Sequence, residues 1–201
     1  MTLGPRPEAS APPKPAGALW TAPLLVVAIM WVAEIVDAFT PQANLDEYGI
    51  QPRSDEGLIG ILAAPFLHGG FGHLIANTTA FVILGLLVVW ASKSYWAVTF
   101  GVIVLGGLGV WLIAAPGTVH IGASGLVYGY AAFLVAWGFF TRHTRDIVIG
   151  ILVALAYGGL VTGLLPTQPG VSWQGHLFGA IAGILMASWL SRRRRPARPR
   201  R

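Results

Sequence analysis

Ser124 stands between glycines in Gly122-Ala-Ser-Gly125, at the start of an apolar run long enough to cross a bilayer. A hydroxyl buried without a partner costs about 2–7 kcal/mol, so this serine needs a packing partner or a chemical task. The task open to it is nucleophilic attack on a carbonyl, provided that a base takes its proton. His176, in Gly175-His-Leu-Phe-Gly-Ala-Ile-Ala-Gly183, is the candidate base, because a neutral imidazole can accept a proton and later return it. At about 100° per residue, Gly179, Ala180, Gly183 and Ala187 project on the same side of their helix as His176. The histidine is therefore expected on the face that another helix can approach most closely. Gly125-x-x-x-Gly129 gives the serine helix a matching small face, and Tyr128 lies one turn beyond Ser124 on its side.

Attack on a carbonyl also needs donors for the developing oxyanion. His73 and Asn77 are four residues apart and share a helix face, and an asparagine inside a span is costly without a task. The backbone N–H of Ser124 is a further candidate. His68 falls about 140° round from His73 on a continued helix and is expected to tie down the preceding loop. Glu34 and Asp37 sit near the outer end of a different apolar run, where an interface or a polar interior accounts for them. The reading is a Ser-His pair without a third carboxylate. His68, His73 and His176 could also be weighed as zinc ligands, but there is no His-Glu-x-x-His helix and no acidic residue beside them. No metal and no other cofactor is expected.

The elements that must position these groups follow from composition. Of 201 residues 55% are hydrophobic and 10% charged, against about 25% charged for a soluble domain. The expected fold class is an all-α polytopic membrane protein. The net charge of +5 is concentrated in residues 192–201 and in short loops, which is how membrane topology is written, so nucleic acid is not an expected partner. With no cysteine there is no disulfide framework and no thiol nucleophile.

Residues 1–17, rich in Pro and Ala, are expected to be a disordered tail. Residues 18–191 form the membrane domain and 192–201 an arginine-rich cytoplasmic tail. Six stretches approach the twenty residues that a 30 Å core needs: about 18–39, 73–92, 96–114, 122–140, 147–165 and 173–191. Residues 57–67 are apolar but too short to cross and are expected in the interface. With the N-terminus inside, Arg6, Lys14, Lys93, Arg142, Arg145 and the arginine tail share one side, and only Arg53 is left outside. Both termini are thus expected to be cytoplasmic. Ser124, His176, His68 and His73 then share the outer leaflet, His120 is an outer loop residue, and His143 alone lies inside.

The set His68-x-x-x-x-His73-x-x-x-Asn77, Gly122-Ala-Ser124-Gly125 with Tyr128, and His176-x-x-Gly179-x-x-x-Gly183 resembles the rhomboid intramembrane serine proteases of six-span bacterial type. The resemblance covers about 57–191, with the motifs in the family's order. It implies a rhomboid-like six-helix bundle in the plasma membrane, with Ser124 as nucleophile and His176 as general base. His73, Asn77 and the Ser124 amide would form the oxyanion hole; Tyr128 would pack on the His176 ring and His68 would be structural. It further implies cleavage of membrane-anchored proteins in or beside their transmembrane segments, at the extracytoplasmic face. A catalytically inactive relative that binds transmembrane clients is the alternative, although such relatives usually lack the serine or the histidine. Two departures stand out. Ile59 and Gly60 occupy the places where many members carry Trp-Arg, and Val89 the place where many carry glutamate, whereas Gly85 matches.

Overall fold

The computed structural model describes residues 17–194. The helices are α1 (Gly17–Trp20), α2 (Ala22–Phe39), α3 (Glu56–Ala63), α4 (Phe71–Ser92), α5 (Tyr95–Ile113), α6 (Ser124–Thr141), α7 (Thr144–Tyr157) and α8 (Trp173–Arg194). Short 3-10 turns occupy Pro41–Ala43, Leu45–Tyr48, Ala64–Phe66 and Gly158–Leu164. The tail expected over 1–17 falls outside the described residues except for Gly17. So does the arginine tail beyond Arg194, while Arg192, Arg193 and Arg194 close α8 as helix.

Among the described residues, five segments are long and apolar enough to cross a membrane: Ala22–Phe39, Phe71–Ser92, Tyr95–Ile113, Ser124–Thr141 and Thr144–Leu164. The sixth expected span, α8, matches them in length with 22 residues. Gln174 and His176 in its first turns and the arginines at its end hold its hydropathy lower. Outward side chains such as Ile29, Val32, Phe100, Phe139, Ile151 and Leu155 are exposed, as they are when lipid rather than water surrounds a bundle. The chain is a multi-pass membrane protein. The short apolar stretch after the first loop is α3 and its 3-10 continuation, Glu56–Phe66, too short to span.

Local chemistry sets the helix ends. Pro23 sits in the first turn of α2, where its missing N–H costs nothing. Gly122, at φ +105°, stops any helix from starting earlier than Ser124, two residues later than the apolar pattern suggests. Lys93 and Arg142 take left-handed conformations just past α4 and α6, which puts positive charge at helix C-termini where the backbone dipole favours it. The fifth span changes from α to 3-10 at Gly158-Gly159, a pair that weakly supports a continuing α-helix.

At the centre, α6 packs against α4, α5, α7 and α8, while α2 packs on α4 and α3 on α5. The contact between α6 and α8 runs through glycine. A Cβ added to Gly179 would lie 2.2 Å from the Gly125 carbonyl oxygen, and one on Gly183 2.1 Å from that of Gly129. The two small faces read from sequence therefore meet each other. Beneath them Phe81, Tyr95, Tyr130, Phe133 and Trp137 form a buried aromatic core, in which the Tyr130 hydroxyl is 2.7 Å from Thr99 Oγ1.

The first loop lacks the Trp-Arg pair common in the family that the sequence resembles and is held by other residues. Arg53 donates to the carbonyls of Leu112 and Ala114 (2.7 and 2.8 Å), and Trp111 Nε1–H donates to the Ser54 carbonyl at 2.9 Å. Both tie the loop to the end of α5. Gly60 lies where a Cβ would meet the Gly49 carbonyl oxygen at 2.0 Å, so an arginine could not occupy it in this packing.

Candidate active site

Ser124 is the first residue of α6, so its N–H has no carbonyl one turn earlier in the helix to bond. His176 lies in the first full turn of α8, and the glycine contact brings the two helices close enough for their side chains to touch. Ser124 Oγ and His176 Nε2 are 2.9 Å apart. The other ring nitrogen, Nδ1, is 2.8 Å from the Gly163 carbonyl oxygen. A carbonyl only accepts, so Nδ1 carries the proton in the neutral ring and Nε2 is left bare to accept the Ser124 hydroxyl proton. Tyr128 stacks on the His176 ring with centroids 4.0 Å apart and planes 7° from parallel. His176 is thus fixed by a ring face and a carbonyl, and its reactive nitrogen points at the serine.

Gly163 was not a sequence candidate, because its contribution is a backbone carbonyl and no side-chain pattern advertises that. It has little freedom to change: an added Cβ would stand 2.0 Å from the Tyr128 hydroxyl and 3.1 Å from His176 Nδ1.

His73 and Asn77 project from one face of α4 into the same cleft as Ser124 and His176. Gly122 allows their approach, since a Cβ there would meet His73 Cε1 at 2.7 Å and Asn77 Nδ2 at 3.7 Å. Asn77 is buried, and its Nδ2 has no hydrogen-bond partner among the described residues. His68 is fully buried just ahead of α4. It accepts the Ala123 N–H at 3.4 Å and meets the His73 ring edge-on at 5.1 Å. Burial, with His73 adding to it, lowers its pKa to about 4. His68 therefore sits neutral beneath the backbone that presents Ser124, apart from the cleft itself.

Glu34 is buried in α2, and Asp37 accepts the Leu45 N–H at 2.6 Å; neither lines the cleft. His143, read as an inner loop residue, is exposed at the opposite end of the bundle and faces the Thr141 carbonyl at 3.1 Å. His120, read as a plain loop residue, instead lines the cleft and faces Ser172 Oγ at 2.7 Å. Ser172 also escaped notice, although Ser172-Trp-Gln-Gly175 ahead of an apolar run is a recognisable helix start. The cleft has a volume of about 920 Å³, and its rim, with Gln168, Gln174 and Trp173, carries no charged side chain.

Comparison with known proteins identifies the family of the chain. The family profile described as the rhomboid domain matches residues 55–193. An uncharacterized protein of Mycobacterium tuberculosis is 44% identical over 185 residues, covering 87% of this chain and 76% of its own. An uncharacterized protein of Mycobacterium leprae is 42% identical over the same length, covering 87% of this chain and 72% of its own. More distantly, rhomboid-like protease 5 of Toxoplasma gondii is 30% identical over 131 residues, covering 60% of this chain and 15% of its own. The match takes in α3 to α8, the glycine contact and every residue of the cleft named above, and the chain belongs to the rhomboid family.

Proposed function

We propose that this protein is an intramembrane serine endopeptidase working by a Ser124–His176 pair. The observation that carries the reading is the 2.9 Å separation of Ser124 Oγ and His176 Nε2, with Nδ1 held by the Gly163 carbonyl. Ser124 Oγ attacks a peptide carbonyl while His176 Nε2 takes its proton. The imidazolium then gives that proton to the leaving amine, and a water activated by the same nitrogen releases the acyl-enzyme. The charged oxygen of the tetrahedral intermediate is met by Asn77 Nδ2, which has no other hydrogen-bond partner among the described residues, by His73, and by the N–H of Ser124. Tyr128 keeps the ring in plane, and His68 supports the backbone at Ala123.

The substrates are membrane-anchored proteins cut in or beside a transmembrane segment. An uncharged cleft rim on an otherwise lipid-facing bundle suits an apolar segment leaving the bilayer. The protein resides in the plasma membrane with its cleft on the extracytoplasmic side and both termini in the cytoplasm, as the distribution of basic residues favours.

The test is cleavage of a single-span reporter by the purified protein and by Ser124→Ala and His176→Ala. Cleavage should vanish in both variants, and a fluorophosphonate should label only protein that retains Ser124. Cleavage that survives in either variant would overturn the pair. A well-folded wild type that neither cleaves nor labels would mark the protein as a client-binding relative instead.

A further inference from the structure

His120 stands four residues before Ser124, and Ser172 stands four residues before His176. These two earlier residues meet, with His120 Nδ1 at 2.7 Å from Ser172 Oγ. Resting on the proposed roles of Ser124 and His176, we infer that His120 and Ser172 form a positioning pair that braces the chain leading into α6 against the first turn of α8. The brace holds the reacting serine and histidine at bonding distance.

The hydrogen bonds around the pair allow one consistent set of directions. Thr118 Oγ1–H donates to the Ala115 carbonyl at 2.6 Å, so Thr118 Oγ1 accepts from His120 Nε2–H at 2.9 Å. His120 Nδ1 is then bare and accepts the Ser172 hydroxyl proton. Ser172 Oγ in turn accepts the Gly175 N–H at 3.1 Å. Burial lowers the His120 pKa, which keeps the ring in the neutral form that this chain of bonds requires.

Both ends of the brace are anchored. The His120 N–H and carbonyl both pair with Ile50, at 3.0 and 2.9 Å, so its ring stands on a backbone held from outside. On the other side the Ser172 carbonyl accepts the N–H of His176 itself at 3.1 Å. A shift of Ser172 is therefore passed directly to the histidine backbone. Residues 165–170 that lead to this end of α8 are exposed. Beyond the brace, the first turn of α8 meets α6 through His176 itself, on Ser124 and Tyr128, and through the Gly175 carbonyl oxygen, 3.3 Å from a Cβ added to Gly125. His120 and Ser172 also stand together with Ser124 between the open cleft and a small cavity of about 50 Å³, so the brace passes beside the nucleophile.

Ser172 also caps α8, and the test must separate capping from bracing. Thr and Gly are nearly equal as helix N-caps, but only Thr keeps a hydroxyl for His120. Purified full-length Ser172→Thr, Ser172→Gly, His120→Ala and the double variant His120→Ala/Ser172→Gly would be compared with wild type. The readouts are kcat and KM on the single-span reporter, the rate of fluorophosphonate labelling at Ser124, and the thermal midpoint. Because about 1 Å of misplacement can cost on the order of a hundredfold, Ser172→Gly and His120→Ala should each lose at least about tenfold in kcat and labelling rate. KM should stay within about twofold, Ser172→Thr should stay near wild type, and the double variant should be no worse than the worse single one. Equal behaviour of the Thr and Gly variants would overturn the brace, and so would losses that multiply in the double variant. A wild type that neither cleaves nor labels would fail earlier, at the functional reading itself.

Discussion

Asn77 carries a buried amide nitrogen with no hydrogen-bond partner among the described residues, and folds keep such a group where another role requires it. Asn77→Ala should lower kcat by about 10²–10³-fold, the usual loss for one oxyanion donor. The thermal midpoint should hold or rise, because an unpaired polar group leaves the interior. A loss of activity matched by a loss of stability would make Asn77 a packing residue. Tyr128 offers a contrast, since its ring face rather than its hydroxyl supports His176: kcat should survive in Tyr128→Phe and fall in Tyr128→Ala. His68 adds a pH dependence. Burial first, and His73 second, lower its folded pKa from 6.5 to about 4. Well above 6.5 both folded and unfolded forms are neutral. Between about 6.5 and 4 the unfolded chain binds a proton that the folded chain refuses, so stability falls as pH drops through that window and levels off below it. Thermal unfolding in detergent should show this decline, and His68→Gln should flatten it. An equal slope in the variant would assign the decline to other groups.

The fold turns on the glycine contact between α6 and α8. In Gly183→Ala the new methyl would meet the Gly129 carbonyl oxygen at 2.1 Å and force the helices apart. Overpacking of that kind costs about 1–3 kcal/mol, and it moves His176 relative to Ser124. The thermal midpoint and reporter cleavage should both fall, while Gly158→Ala, with open space at its Cβ, should leave the midpoint unchanged or slightly raised. Small-residue faces four apart made this contact legible in the sequence, as did the shared face of His73 and Asn77. What stayed hidden has a common physical cause. Gly163 acts through a main-chain carbonyl, and His120 finds Ser172 across 52 residues. Neither a backbone acceptor nor a long-range side-chain pair leaves a periodic mark. The fifth span, Thr144–Leu164, ends where its hydropathy says it should, but hydropathy is blind to the change from α to 3-10 geometry at Gly158-Gly159 within it. Arg53 and Trp111 hold the first loop by bonds to carbonyls, which residue type alone does not announce.

On the scale of the whole molecule, charge divides the bundle into two ends. The cleft end carries Asp46, Glu47, Asp55 and Glu56, and Arg53, the one arginine or lysine there among the described residues, is bound to two carbonyls. The opposite end gathers arginine and tryptophan. Arg145 donates to the Ala91 carbonyl at 3.1 Å and lies 5.8 Å from the Trp90 ring. Arg194 donates to the Ser92 carbonyl and lies 4.9 Å from the Trp137 ring. Arg193 sits over Trp189. Cations and indoles at one level are the mark of a membrane–water interface, and in the proposed topology this end is the cytoplasmic one. Because the chain has no cysteine, a single introduced thiol reports its own side of the membrane without background. Gln168→Cys, exposed at the cleft rim, should react with a membrane-impermeant maleimide in intact cells. His143→Cys, exposed at the arginine end, should react only after the membrane is opened. The reverse pattern would invert the topology and turn the cleft toward the cytoplasm, and the candidate substrates would then be proteins that present their cleavage segment on that side.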